Sequence, residues 1–139
     1  MTPEEKELLL KDLCMRLPYG VKVKTKDDDD TYTLLSLHPN KNIALIGLLF
    51  VDTYATSKVH IEEIKPYLRP MSSMTEEEKS YYEDRWFEGY HSLHGDDMVS
   101  EPEIPSYIDW LLKNHFDYRG LIPKGLAIEV TEDNNPYKE

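Results

Sequence analysis

The chain has 139 residues, of which 40% are hydrophobic and 31% charged, and it carries a net charge of −11. That length suits one domain with a core of its own, and that composition excludes a disordered chain. The longest apolar run, Ile43 to Val51, is nine residues long, well short of the roughly 20 that a membrane-spanning helix needs.

Thr2-Pro3-Glu4-Glu5 predicts a helix start, with Thr2 as cap, Pro3 in the first turn and Glu5 completing a capping box. Leu9, Leu10, Leu13, Cys14 and Leu17 then recur at helical spacing, until Pro18 stops the helix and Gly20 opens a turn. Val21 and Val23 alternate with lysines in a first strand, Asp27 to Asp30 form a hairpin tip, and Thr31 to Leu37 read as a second strand. After the loop His38 to Asn42, Ile43 to Val51 predict a central strand with Gly47 as its bulge, and Thr53 to Val59 a fourth strand. His60 to Pro70 read as a helical turn and a short extended piece, because Pro66 and Pro70 forbid a long helix. Thr75 to Glu78 form a second capping box, starting a helix with Tyr82, Trp86 and Tyr90 on one face. Pro105 opens a third helix with Ile108, Leu111, Leu112 and His115 on one stripe. Asp117 caps a further short helical turn, and Leu126 to Val130 form a closing strand.

These elements predict an α+β fold: an N-terminal helix, a small antiparallel SH3-like barrel or curled sheet, two C-terminal helices and a closing strand. Residues 1–130 are expected to be a single domain, with the helix and barrel in 1–70 and the helical part and last strand in 71–130. Residues 131–139, poor in apolar side chains, are expected to be a flexible tail.

Charge is unevenly spread. Residues 1–70 hold 10 Lys+Arg and 11 Asp+Glu, net −1, whereas residues 71–139 hold 6 and 16, net −10. Such acidity disfavours direct nucleic-acid binding, which depends on cations that displace counterions from phosphates; it serves solubility, or else forms a surface that meets a basic protein partner. The polar, acidic start resembles no secretory leader, and the lone Cys14 forms no internal disulfide, so the expected location is the cytoplasm without membrane attachment.

Two blocks are familiar: Ile61-Glu-Glu-Ile-Lys-Pro-Tyr-Leu-Arg-Pro-Met-Ser-Ser-Met-Thr-Glu-Glu-Glu78, and Ile108-Asp-Trp-Leu followed by His115-Phe-Asp-Tyr-Arg-Gly-Leu-Ile-Pro-Lys-Gly-Leu-Ala-Ile-Glu129. With Arg16-Leu-Pro-Tyr-Gly20 they resemble a family of small uncharacterised proteins found in gut anaerobic bacteria and in their phages and prophages. The resemblance covers about half of the chain. It implies a phage or mobile-element setting and carries no activity with it.

The densest polar-aromatic cluster is His115, Asp117, Tyr118 and Arg119. His and Asp suit acid–base work and Arg suits an anion, while the structural alternative has Asp117 capping, Phe116 in the core and Arg119 paired with an acid. Tyr67 and Arg69, between two prolines, offer a rigid binding edge, or else stitch the barrel to the second helix. His91 and His94 with Asp96 and Asp97 have the donor types of a metal site, but their acidic loop favours a solvated segment, so no metal is expected. Asp27 to Asp30 fail the calcium-loop pattern, because Tyr32 and His38 stand at its sixth and twelfth positions. Cys14 is expected in the core. No cofactor motif appears.

The function expected from the sequence is therefore non-enzymatic protein binding in an accessory role. The alternatives are an acidic nucleic-acid mimic that blocks a DNA-handling protein, and a small enzyme built on His115, Asp117 and Arg119. Oligomeric state stays open.

Overall fold

The computed structural model describes residues 1–50, 53–84 and 106–137. Helix α1 (Pro3–Arg16) begins at the expected capping box. The Glu5 amide donates to Thr2 Oγ1 at 3.1 Å, and the Thr2 amide donates to Glu5 Oε1 at 3.0 Å. A 3₁₀ turn, Leu17–Tyr19, then ends at Gly20, whose φ of 66° suits a residue without Cβ.

Strands β1 (Lys22–Thr25) and β2 (Thr31–His38) form the hairpin around the aspartate tip. Strands β3 (Ile43–Phe50) and β4 (Thr53–His60) form a second hairpin, and a 3₁₀ turn at Ile61–Glu63 leads into β5 (Ile64–Leu68). Helix α2 is described over 76–84. Thr75 caps it, with the Glu78 amide 3.1 Å from Thr75 Oγ1 and the Thr75 amide 3.0 Å from Glu78 Oε1. Helix α3 (Ser106–Lys113) and the two-residue β6 (Ile128–Glu129) complete the described elements.

The strands form one mixed sheet in the order β4-β3-β2-β1-β5-β6. All neighbours are antiparallel except β6, which runs parallel to β5. The α+β class holds, but the barrel does not. The sheet is open because its outermost described strands, β4 and β6, do not pair. The bulge also lies elsewhere than expected. Register slips between Leu34 and Ser36 of β2, whereas Gly47 stays in line between Thr33 and Thr56.

The core lies between one face of this sheet and α1. Leu9 and Leu13 pack with Val21, Val23, Leu34, Ala44 and Ile46, and the chain beyond α3 adds Leu121, Leu126 and Ala127. The buried face of α1 comprises Leu9, Asp12, Leu13 and Arg16. Cys14 is exposed rather than in the core, because the α1 face turned to the sheet is rotated toward Asp12 and Arg16.

Residues 131–137 make contacts back to the sheet. Thr131 and Asn134 close a turn, with the Thr131 amide 2.5 Å from Asn134 Oδ1, and Asn134 Nδ2 donates to Glu129 O at 3.0 Å. Tyr137 then reaches back to the sheet. Its hydroxyl donates to Tyr67 O at 2.7 Å and accepts from the Lys22 amide at 3.0 Å.

Candidate functional site

The turn after α3 gathers most of the side chains singled out from the sequence. Helix α3 ends in a paired-bond cap: the His115 amide donates to Leu112 O at 3.1 Å and the Phe116 amide to Leu111 O at 2.9 Å. His115 occupies the left-handed position of that cap, φ 64°, where glycine is usual. A side chain there costs about 1 kcal/mol. Its imidazole is held flat against the Tyr137 ring, with centroids 3.6 Å apart and planes 8° from parallel.

The backbone around the turn is clamped to the end of β5. The Arg69 amide donates to His115 O and the Asp117 amide to Arg69 O, both at 2.8 Å. Phe116 is fully buried, with Trp110 stacked 5.6 Å from it and the Arg69 guanidinium 4.1 Å from its ring centre. Arg69 also forms a forked pair with Glu78 at 2.9 and 2.7 Å. It therefore joins the sheet, α2 and the turn, which is the stitching role. Tyr67 is buried, and its carbonyl serves Tyr137.

Asp117 serves its own loop. Its two carboxylate oxygens accept the amides of Leu121 and Ile122 at 2.8 and 2.9 Å. They hold residues 118–122 in a string of turns rather than in the short helical turn the sequence suggested. Arg119 points another way, with Nη2 3.0 Å from Met15 Sδ and Nε 3.5 Å from Asp12 Oδ1. The second contact is an ion pair too long to be a hydrogen bond, so both atoms lack hydrogen-bond partners. The Tyr118 hydroxyl donates to the same sulfur at 3.6 Å, and its ring centre lies 5.0 Å from the Arg119 guanidinium.

Beneath these lies a pair absent from the sequence-level expectations. Asp12 and Arg16 are both 0% exposed. Arg16 Nε donates to Asp12 Oδ2 at 2.6 Å and Arg16 Nη2 to Phe116 O at 2.5 Å. Burial raises the Asp12 carboxyl above its ordinary range, against the pull of Arg16 and then Arg119. The sequence held a signal for this: Leu9, Asp12, Leu13 and Arg16 follow the i, i+3, i+4, i+7 pattern of one helix face.

His115 titrates at about 4, lowered first by burial and then by Arg16, Arg69 and Lys22. It is neutral near pH 7, and its Nδ1 is buried without a hydrogen-bond partner. His115, Asp117 and Arg119 thus face three different partners and converge on no common atom. Their positions do not support the small-enzyme alternative, which needs a shared pocket. Among the described residues no group of three or more His, Cys, Asp or Glu side chains could hold a metal ion. His91, His94, Asp96 and Asp97 lie outside the described residues.

A second candidate surface emerges from the strand register. Paired residues of neighbouring strands share a face. Lys22, Thr33, Gly47 and Thr56 form one such row across four strands. Period-two alternation places Lys24, Leu45, Lys58 and His60 on that same face, and Lys65 joins it as the partner of Lys24. Leu34 and Ile46 point the other way, into the core. The five strands β1 to β5 contain four lysines and no Asp or Glu. All four lysines therefore stand on the outer face, away from α1. Lys22 is tied to Thr33 Oγ1 at 2.7 Å and Lys24 to Asp29 at 3.3 Å, while Lys58 and Lys65 have no ion pair among the described residues.

No family model matches the chain, and no curated protein or solved structure matches it either.

Proposed function

We propose that this chain is a non-enzymatic protein-binding module, an accessory protein of a phage or other mobile element, and that it meets its partner through the outer face of its sheet. One observation carries this reading: the chain has a net charge of −11, yet its five main strands contribute lysines and no carboxylate to the outer face of the sheet, where Asp29 of the hairpin tip reaches Lys24 and Lys58 and Lys65 have no ion pair among the described residues. A surface so unlike the rest of the molecule is a charge-complementary contact for an acidic partner. The expected basic partner draws on the exposed carboxylates of the acidic half, among them Glu76, Glu77, Glu83 and Asp84 of α2, while three others are engaged internally. Glu78 binds Arg69 and Thr75, Asp117 binds two amides, and Asp109 accepts from the Tyr19 hydroxyl. The resemblance to proteins of gut anaerobes and their phages supplies the mobile-element setting. No helix among the described residues is long and apolar enough to cross a membrane.

The test is affinity capture from native-host lysate with the wild type and with Lys58→Glu/Lys65→Glu, compared by quantitative mass spectrometry. A protein retained by the wild type and lost from the reversed face supports the reading. Equal recovery on both, or nothing above background on either, overturns it.

A further inference from the structure

Strand β4 is an outermost strand of the sheet, and we propose that its edge, unpaired among the described residues, accepts an extended, carboxylate-bearing segment of the partner protein as a seventh strand. This inference rests on the outer-face reading above and adds the mode of binding and the chemistry of the bound segment.

The direction of the edge's hydrogen-bonding groups follows from one bond. The Ile61 amide donates to Asn42 O at 3.3 Å, continuing the ladder that pairs Ile43 with His60. In an antiparallel ladder, bonded and non-bonded pairs alternate. Ser57 and Val59 therefore turn their amides and carbonyls toward β3, while Thr56, Lys58 and His60 turn theirs outward, about 6.6 Å apart. Register between β3 and β4 is continuous from Ile43↔His60 to Phe50↔Thr53, so no bulge interrupts the edge. Proteins commonly guard such an edge with proline, bulges, several charges or a covering segment. Here β4 has no proline, its one formal charge is Lys58, and residues 55–58 and His60 are exposed. The opposite edge is treated differently: β6 is two residues long, and the turn from Thr131 to Asn134 closes beside it.

Charge selects the occupant. The outward-bonding residues Thr56, Lys58 and His60 also carry their side chains on the lysine face. An added strand with acidic residues at alternate positions places carboxylates beside Lys58 and His60. Its intervening residues fall beside Ala55, Ser57 and Val59, which suit small or β-branched neighbours. A second copy of this chain fits less well. Its β4 offers no carboxylate to Lys58, and pairing would bring together two bodies of net charge −11.

A capped synthetic peptide, Thr-Glu-Val-Glu-Thr-Glu-Val-Glu, titrated into the isotopically labelled full chain provides the test. The amides of Thr56, Lys58 and His60 should shift and gain exchange protection, while those of Ser57 and Val59 stay as they were. Thr56→Pro removes an outward amide and leaves the β3 ladder intact, and should weaken binding roughly fivefold or more. Lys58→Glu should weaken it by up to about fivefold. Loss with Lys58→Glu but unchanged binding with Thr56→Pro overturns strand addition and leaves the outer-face reading standing. Absence of shifts at the three wild-type amides overturns strand addition even if Thr56→Pro fails to fold. A concentration-dependent dimer abolished by Thr56→Pro also overturns it, because the edge then belongs to a second copy.

Discussion

At the scale of single residues, the least expected feature is the ion pair of Asp12 and Arg16 beneath the turn. Two charges with 0% exposure are costly to desolvate, and the geometry offsets only part of that cost, since the Asp12 carboxyl stays raised and Asp12 Oδ1 and Arg16 Nη1 have no hydrogen-bond partner. Arg16 reaches both Asp12 and the carbonyl of Phe116, so one side chain neutralises a carboxylate and satisfies a buried backbone acceptor. Removing one partner strands the other. Arg16→Met should lower stability by about 3–5 kcal/mol, and Asp12→Leu/Arg16→Met should lose markedly less than the sum of the single variants. Urea unfolding of the three variants measures that coupling, and additive losses would show that the pair is not energetically linked.

His115 gives the residue scale a pH signature. Its folded value of about 4 lies below the ordinary value of 6.5. The unfolded chain therefore binds this proton more readily, and stability must rise with pH across that interval. The contribution is complete above about pH 6.5 and is lost as pH falls toward 4. Glu78, Glu62 and Glu5 all have carboxyls held below 4.5, first by hydrogen bonds from Arg69, Asn42 and the Thr2 backbone respectively. Their contributions fade only at lower pH, while the raised Asp12 carboxyl acts with the opposite sign, its contribution being lost as pH rises, so the comparison with a His115 variant is what isolates His115. Thermal melts from pH 7 to 5 should show stability falling more steeply in the wild type than in His115→Asn, which also tolerates the left-handed backbone. Equal slopes would remove His115 as the cause.

At the scale of elements, the short-range signals read from the chain held. Both capping boxes form, the aspartate hairpin tip sits between β1 and β2, and Pro66 lies in a strand after a single 3₁₀ turn. Thr75 matters beyond its own helix, because Glu78 uses the same carboxylate to answer the Thr75 amide and to grip Arg69. Thr75→Ala should cost about 1 kcal/mol in urea unfolding, and no loss would mean that Arg69 alone holds Glu78 in place. Other features were not legible locally. Tyr137 stands alone in a polar segment, and nothing near it in sequence predicts its bonds to Lys22 and Tyr67. The bulge at Leu35 depends on how β2 meets β3, so Gly47 by itself was a misleading marker.

At the scale of the whole molecule, the decisive property is how charge is sorted by the fold. Glu5, Glu78 and Asp117 cap helices, close a turn or answer an arginine, while the strand lysines collect on one side of an open sheet. The proposed acidic partner rests on that collection of lysines, which depends on sheet order and register rather than on composition. The fold also separates the two candidate regions. The His115 turn fastens the end of β5 to α1, α2 and α3, and the far side of β4 has no neighbouring strand among the described residues.

The amino-acid sequence by itself determined the caps, the turns, the strand alternation and the α+β class, because each is set by neighbours within a few residues. Only the tertiary structure decided that the sheet stays open, that Cys14 is exposed while Asp12 and Arg16 are buried, and that His115, Asp117 and Arg119 part company. The physical reason is that a side chain's solvent exposure and partners are fixed by whatever packs against it. For these residues the packing groups can lie a hundred or more positions away, as Phe116 does from Arg16 and Met15 from Arg119.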